Sequence, residues 1–470
     1  MLLDKSQIPN LKSQIPNGIS LMSRPDRFIR ASWNLVFGIW NLELRAWNLE
    51  LQTHSRRMRY KPIIIILINL ILIGIFICNH TLAQTPPVGY KFIKTNINRI
   101  ENDSLYLKDF YQKLYRLKTT HQGVVQIVHI GDSHIQADGL SGIVRQNMQQ
   151  YFGNAGRGLV FPYRVAKTNG PDGLKSSSNV EWVASRNVYI QDSIPIGICG
   201  ITIQTQQPNA SISETVRNTS TLDYAFNNVT LFYQQGDQFN YFEVFDSSGN
   251  ANFSLKRACL PNIASYYSPI PVNSININAI TTDSTVKKTA RLYGLFLQND
   301  SAGVVYNMVG INGAEYRHYL ASTYFTEQLS FLEPDLIIIS LGTNEAINAR
   351  FNPDDFYYYI KQTIDAIQIK SPNAKFILTT PPDAYRWRRG KLYKVLNIPK
   401  ATATMIRFCK ENNIAYWDLN AVMGGLGSRI FWARAGLSSH DYIHFNAKGY
   451  QLQGKLLYDA LIYNYEKYTR

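Results

Sequence analysis

Ser133 closes a run of apolar and β-branched residues, VVQIVHI, in the segment Gly131-Asp132-Ser133-His134. A serine beside a glycine at the tip of a buried strand is a common way to expose a nucleophile. Much later, DYIHF supplies Asp441 and His444, three positions apart and just before a helical stretch. A serine hydroxyl needs a base to take its proton, and histidine titrates near neutral pH. The histidine needs an acid that fixes its tautomer and stabilises its charge. Such a set does acyl transfer through a serine ester, here in the chain order Ser, Asp, His. The acyl intermediate also needs donors for its oxyanion. Candidates at strand ends are the Ser133 amide, Gly313 in GINGAEY and Asn344 in LGTNEA.

Each candidate has a plainer reading. Ser133 could cap the following helix, Asp441 could favour a helix N-terminus, and Asn344 could be an ordinary turn residue. Gly310 stands three residues before Gly313 and competes for its part. His129 reads as a satisfied core histidine, His134 as a hydrogen-bonded structural side chain, and Asp132 as a brace for the serine turn. Gln136 and Asp138 read as organisers of the same loop.

These residues need a scaffold that holds strand tips together. VVQIVHIG, DLIIIS, KFILTT and IAYWDL are short, nearly continuous apolar runs, as strands buried on both faces would be. Between them Asp354–Ile369, Ala401–Asn412 and Ala447–Tyr463 have helical spacing. Alternating strands and helices predict a parallel sheet covered on both sides. Residues 167–300 differ. They are rich in Ser, Thr, Asn and Val, with short alternating runs such as GITIQT, NVTLFYQQ and ARLYGLFLQ. This texture predicts an inserted all-β sandwich, jelly-roll-like, within an α/β domain of residues 84–166 and 301–470. Trp182, Tyr189, Tyr266 and Tyr267 there could stack on sugar rings or fill the core. The run Arg386 to Arg389, after Pro381-Pro382-Asp383, follows a strand end and could hold an anionic glycan or be a solvated loop.

The N-terminal residues 1–57 carry brief repeats, SQIPN twice and WNL three times, too short for a stacking solenoid unit. They are expected to be translated upstream sequence, with Met58 the initiator; a genuine amphipathic segment is the alternative. Residues 58–83 have a basic start, the apolar run Ile63–Cys78 and a small residue at Ala83, the pattern of a signal peptide cleaved there. An extracytoplasmic protein, periplasmic or secreted, is expected; membrane anchoring follows only if the segment stays uncleaved. Residues 1–83 carry 10 of the 48 Lys+Arg and 4 of the 33 Asp+Glu, so 38 basic residues remain against 29 acidic ones, a balance of +9. Without long basic runs this does not point to nucleic acid. No CxxC or clustered Cys/His spacing suggests a metal site, and the serine chemistry asks for no cofactor. Cys199 and Cys259 could pair after export.

GDSH, GINGA, GTNE and DYIH, in this order, resemble the blocks of the SGNH (GDSL-type) hydrolase family. The resemblance implies a flavodoxin-like three-layer α/β/α sandwich, Ser133 as nucleophile, Asp441 and His444 as acid and base, and the Ser133 amide, Gly313 and Asn344 as oxyanion hole. His134 and Glu345 stand where the family usually has Leu and Asp. The long gap between the first two blocks resembles O-acetylesterases of peptidoglycan and polysaccharide that carry an inserted β-module. An exported esterase removing acyl groups, acetyl foremost, from carbohydrate or peptidoglycan is the reading. The alternatives are an O-acyltransferase using the same residues and a non-catalytic glycan-binding surface protein.

Overall fold

The computed structural model describes residues 89–103, 105–189, 194–248, 252–280 and 287–470, without the side chains of 257–260. The extension expected at 1–57 and the leader expected at 58–83 lie outside the described residues, as does the Cys259 side chain. Cys199 is a buried free thiol.

One sheet carries the serine. Its strands are β1 (Ile100–Glu101), β2 (Val124–Gly131), β3 (Gly303–Gly310), β4 (Leu336–Ser340), β5 (Lys375–Thr379) and β6 (Ala415–Trp417), in the order β1-β6-β5-β4-β2-β3. All neighbours are parallel except β1, which runs antiparallel to β6. The parallel part therefore has the doubly wound order 2-1-3-4-5, and ligands in such sheets bind beyond the strands' carboxyl ends where the order reverses. Here that point is the end of β2, between β3 and β4. Val125, Ile127, Val128 and Ile130 on β2 and Leu336 to Ile339 on β4 are buried. Each such side chain contributes roughly 1.5–3 kcal/mol on burial, which makes β2 a stiff platform.

Helices cover both faces. On one side α1 (Lys108–Thr120), α2 (Ser141–Phe152) and the long C-terminal α5 (Ala447–Thr469) touch one another; on the other, α3 (Pro353–Lys370) packs on α4 (Ile398–Glu411). Asn352 caps α3 through the Asp354 amide and Pro353 takes its first turn, a pairing suited to helix starts. Asn446 caps α5 through the Gly449 amide. That cap starts the final helix two residues after His444.

The insertion consists of two antiparallel sheets. The seven-stranded one runs through Ile263–Val272, Phe226–Tyr233, Ala290–Gln298 and Ile201–Thr205, and the four-stranded one through Ser211–Val216, Ser274–Ile280 and Tyr241–Asp246. Burial alternates residue by residue along Ser211–Val216 and Ser274–Ile280, as expected for strands with one face on a core. Tyr266 donates its hydroxyl to the Phe242 carbonyl, and Tyr233 meets the Phe242 ring edge-on at 5.3 Å, joining the two sheets. Trp182 and Tyr266 are buried and belong to this core, whereas Tyr189 is exposed. The antiparallel pairing starts earlier than residue 167, because Gly158–Val160 already pairs with Leu295–Leu297. This segment packs on β3, with the Leu159 amide donating to Asn307 Oδ1 at 2.9 Å. Although β3 ends its sheet, all of its residues are buried; the insertion covers that edge, a usual way to protect an unpaired strand.

Candidate active site

Strand β2 ends at Gly131, and Ser133 begins a single helical turn, Ser133–Gln136. Asp132 caps the turn, its Oδ1 accepting the His134 amide at 2.9 Å. Ser133, as the first residue of that turn, keeps an amide with no intrahelical partner. The turn lies tight against β3. A Cβ at Gly310 would stand 2.4 Å from the Gln136 nitrogen, so only glycine admits this close approach. Tyr319 donates to the Gly131 carbonyl at 2.6 Å from behind the turn.

The second loop supplies the other two residues. Ser133 Oγ lies 2.7 Å from His444 Nε2, and His444 Nδ1 lies 2.5 Å from Asp441 Oδ2. Asp441 Oδ1 also accepts the amides of Ile443 and His444, each at 2.9 Å. Burial works to raise the Asp441 carboxyl, but the bonds from the His444 ring and the two amides outweigh it and hold it below the usual carboxylate range. The loop folds back because Tyr442 adopts the left-handed region, φ +58°, a rare state for an aromatic residue that surrounding contacts must enforce. Those contacts are the Tyr385 amide on the Tyr442 carbonyl at 3.0 Å and the Ser439 amide on the His444 carbonyl at 2.9 Å. Arg429, fully buried, also donates to the His444 carbonyl and sits 3.5 Å over the Phe445 ring. Burial draws its guanidinium down to about 10.

The oxyanion candidates differ among themselves. Gly313 has φ +83°, open space where a Cβ would lie, and an amide with no hydrogen-bond partner among the described residues. Gly310 is instead the last residue of β3, packed against Gln136, so the competition between the two glycines falls to Gly313. Asn344 opens onto the same region at the end of β4, in the short helix Thr343–Ile347. Its Nδ2 donates to the Ala314 carbonyl at 3.0 Å and to Asp132 Oδ2 at 3.3 Å. So the structure brings Ser133, Asp441 and His444 into one hydrogen-bonded line, leaves Gly313 free to donate, and holds Asn344 nearby with its amide engaged.

Several neighbours complete the site. Asp132 is 1% exposed, and burial pushes its carboxyl up to about 7. His134 is buried, its Nδ1 3.0 Å from the Tyr450 hydroxyl, and burial holds it well below the ordinary imidazole range. Its ring centroid is 5.3 Å from that of His444. His129 lies in the core between Tyr306 Oη at 2.8 Å and Ser340 Oγ at 2.6 Å, and burial pushes it down to about 3. Asp138 accepts bonds from Ser141, Arg145 and Arg157 and anchors the end of the serine loop. Gln136 reaches further: its Oε1 accepts the Asn312 amide at 2.6 Å, and its Nε2 donates to the Asn169 carbonyl at 2.7 Å. It therefore ties the serine turn to the Gly313 loop and to the start of the insertion. Sequence reasoning did not single out Arg429, Tyr319 or Tyr450. The one usable signal was Arg429 itself, a cation directly before the apolar stretch IFWA. Among the described residues no cluster of three or more His, Cys, Asp or Glu could hold a metal ion, and no helix is long and apolar enough to cross a membrane.

The model of the GDSL-like lipase/acylhydrolase family matches residues 281–452. That span contains Gly313, Asn344, Asp441 and His444 and begins well after Ser133, which the insertion separates from them. A solved peptidoglycan O-acetylesterase matches with a TM-score of 0.63 at 21% identity, over 76% of this chain and 96% of its own. Weaker matches are a lipase/acylhydrolase from Enterococcus faecalis (TM-score 0.29, 21% identity, 34% of this chain and 77% of that one) and the acetyl xylan esterase AlAXEase (TM-score 0.28, 17% identity, 34% and 80%). No curated protein matches. With the doubly wound sheet, its β-insertion and the family match over residues 281–452, the chain has the fold of the peptidoglycan O-acetylesterase and is similar over its later blocks to the GDSL-like lipases/acylhydrolases.

Proposed function

We propose that this chain is an exported esterase that removes O-acyl groups, acetyl foremost, from carbohydrate, through Ser133, His444 and Asp441. The observation that carries it is the unbroken line from Ser133 Oγ through His444 to Asp441 Oδ2, at 2.7 and 2.5 Å. His444 Nε2 takes the Ser133 proton as Oγ bonds to the ester carbonyl carbon. The amides of Ser133 and Gly313 stabilise the resulting oxyanion, and Asn344 adds a donor by turning Nδ2 away from the Ala314 carbonyl. The protonated His444 gives its proton to the departing sugar oxygen as the ester C–O bond breaks. Water, deprotonated by His444, then releases the acid and restores Ser133. Asp441 stays ionised throughout and stabilises the imidazolium.

Two observations support a glycan substrate outside the cytoplasm. The peptidoglycan O-acetylesterase aligns over nearly its whole length with a share of this chain too large for the α/β layer alone. The leader pattern at residues 58–83 supports export. The test is hydrolysis of 4-nitrophenyl acetate by the full chain. Ser133→Ala is expected to lower kcat by roughly 10³-fold or more with an unchanged melting temperature. Equal rates for the two proteins would sink the mechanism. With acetylated glycan as substrate, free acetate supports the esterase, whereas acyl gain on an acceptor sugar would show a transferase.

A further inference from the structure

After β5 the chain forms a hairpin, Tyr385–Arg388 against Lys391–Lys394, closed by Arg389 and Gly390 at φ +49° and +71°. Two successive positive φ values make the tight turn that suits hairpin twist. Paired residues share a face. Tyr385 pairs with Lys394 and Trp387 with Leu392, while Arg386 pairs with Tyr393 and Arg388 with Lys391. The first face grips the His444 loop. Trp387 Nε1 donates to the His440 carbonyl at 3.2 Å, and its ring meets Tyr442 edge-on at 6.1 Å. The second face turns toward the short helix that carries Asn344. There Arg386 Nη1 donates to the Ile347 carbonyl at 3.0 Å.

Between that helix and the hairpin lies a pocket of about 470 Å³. Arg386, Arg388, Arg389 and Lys394 line it together with Tyr393, and no Asp or Glu does. None of the four cations is in an ion pair among the described residues. Three guanidinium groups in no ion pair among the described residues, on a scaffold fixed to the His444 loop, form a site for an anion, while Lys394 faces the Asp383 carboxyl as well. Guanidinium forks match carboxylates in two-point geometry, and the half-exposed Tyr393 ring offers an apolar face to a sugar.

We propose that this pocket binds the carboxylate of an acidic sugar unit in the polymer whose acyl group is removed. The inference rests on the esterase reading and narrows its substrate to anionic glycans. The carboxylate could belong to a uronic acid or to a lactyl ether on an amino sugar, so the test uses both. Retention of the full chain is measured in affinity electrophoresis with polygalacturonate and by co-sedimentation with peptide-stripped peptidoglycan strands, with neutral mannan as reference. Arg388→Ala/Arg389→Ala is expected to weaken binding to at least one acidic polymer about tenfold, leaving binding to mannan unaffected. Which polymer responds identifies the source of the carboxylate. Arg116→Ala/Lys410→Ala, the same charge change on α1 and α4, is expected to leave binding intact. Equal weakening by both double variants, or no binding to either acidic polymer, overturns the proposal. Loss of ester turnover in the unaltered chain would instead overturn the esterase reading and leave the binding result standing by itself.

Discussion

The two loops that meet at Ser133 Oγ are held in opposite ways. The serine turn is buried: Asp132 is 1% exposed and Gln136 likewise 1%. Asp132, Gln136 and His134 Nδ1 bond inward, to Asn344, Asn312, Asn169 and Tyr450, while the buried His134 Nε2 has no partner among the described residues. The acid–base loop is open, with the Asp441 and His444 side chains 45% and 36% exposed. It holds its shape through its own turn, through Arg429 beneath it and through the hairpin alongside. The proposed nucleophile is thus placed by the core and the proposed base by surface elements. Mutations on the first loop are expected to couple stability to rate, and mutations on the second to separate them.

The sharpest break of this contrast is Asp441→Asn. Asn still offers one oxygen to the Ile443 and His444 amides, so the melting temperature is expected to change little. The His444 ring, however, loses the negative charge that fixes its tautomer and stabilises its protonated form. A loss of about 10³–10⁴-fold in kcat is expected, read with 4-nitrophenyl acetate beside a thermal scan. A large drop in melting temperature would show that this loop, too, is structural.

Asp132→Asn probes the opposite loop. The folded-state carboxyl is pushed up to about 7, while an unfolded aspartate titrates at about 3.9. Between these values the folded protein binds the extra proton, so stability falls as pH rises from about 4 to about 7 and is level beyond. Over some three units this is on the order of 4 kcal/mol. Asn keeps the acceptor for the His134 amide and removes the titration. Denaturant midpoints at pH 5 and pH 8 should differ less for Asp132→Asn than for the unaltered chain. Identical pH slopes would mean that Asp132 stays ionised in the folded state.

The same contrast explains what could be read from the residues alone. The parallel strands were legible because both faces are buried: LIIIS and KFILT are almost wholly apolar and have no other place to go. GDSH was legible because local chemistry fixes it at a strand end, and DYIH because its Asp and His stand three apart just before a helix. The insertion was legible as β only where burial leaves an apolar signal. Its strand Leu174–Ser178 is LKSSS, two of whose residues are exposed, and nothing in that composition separates strand from loop. Gly158–Val160 reads as part of the α/β layer by position, and only long-range pairing moves it into the other sheet. Arg386 to Arg388 lie on a strand, with Arg389 in its tight turn, rather than in an irregular loop, because antiparallel pairing with Lys391–Lys394 overrides a polar sequence. Arg429 depends on a contact with the His444 carbonyl that no local pattern encodes.

Gln136 offers the finest test, since it belongs to the buried loop yet touches no reacting atom. Its Oε1 fixes the Asn312 amide, and Asn312 precedes Gly313, whose free amide is the proposed oxyanion donor. Gln136→Met keeps the length of the side chain and removes its bonds to both Asn312 and Asn169. Without them the Gly313 loop is free to shift, and a donor displaced from a developing oxyanion loses its value in the transition state rather than in the ground state. A fall of about 10–100-fold in kcat with KM unchanged is therefore expected. Unsatisfied Asn312 and Asn169 groups should also cost about 1–3 kcal/mol of stability. A purely structural role would lower the rate only by lowering the folded fraction. Counting reactive serines with a fluorophosphonate probe separates the two cases. If kcat per labelled serine matches that of the unaltered chain, Gln136 only supports the fold; if it stays depressed, Gln136 positions the oxyanion donor from within the buried loop.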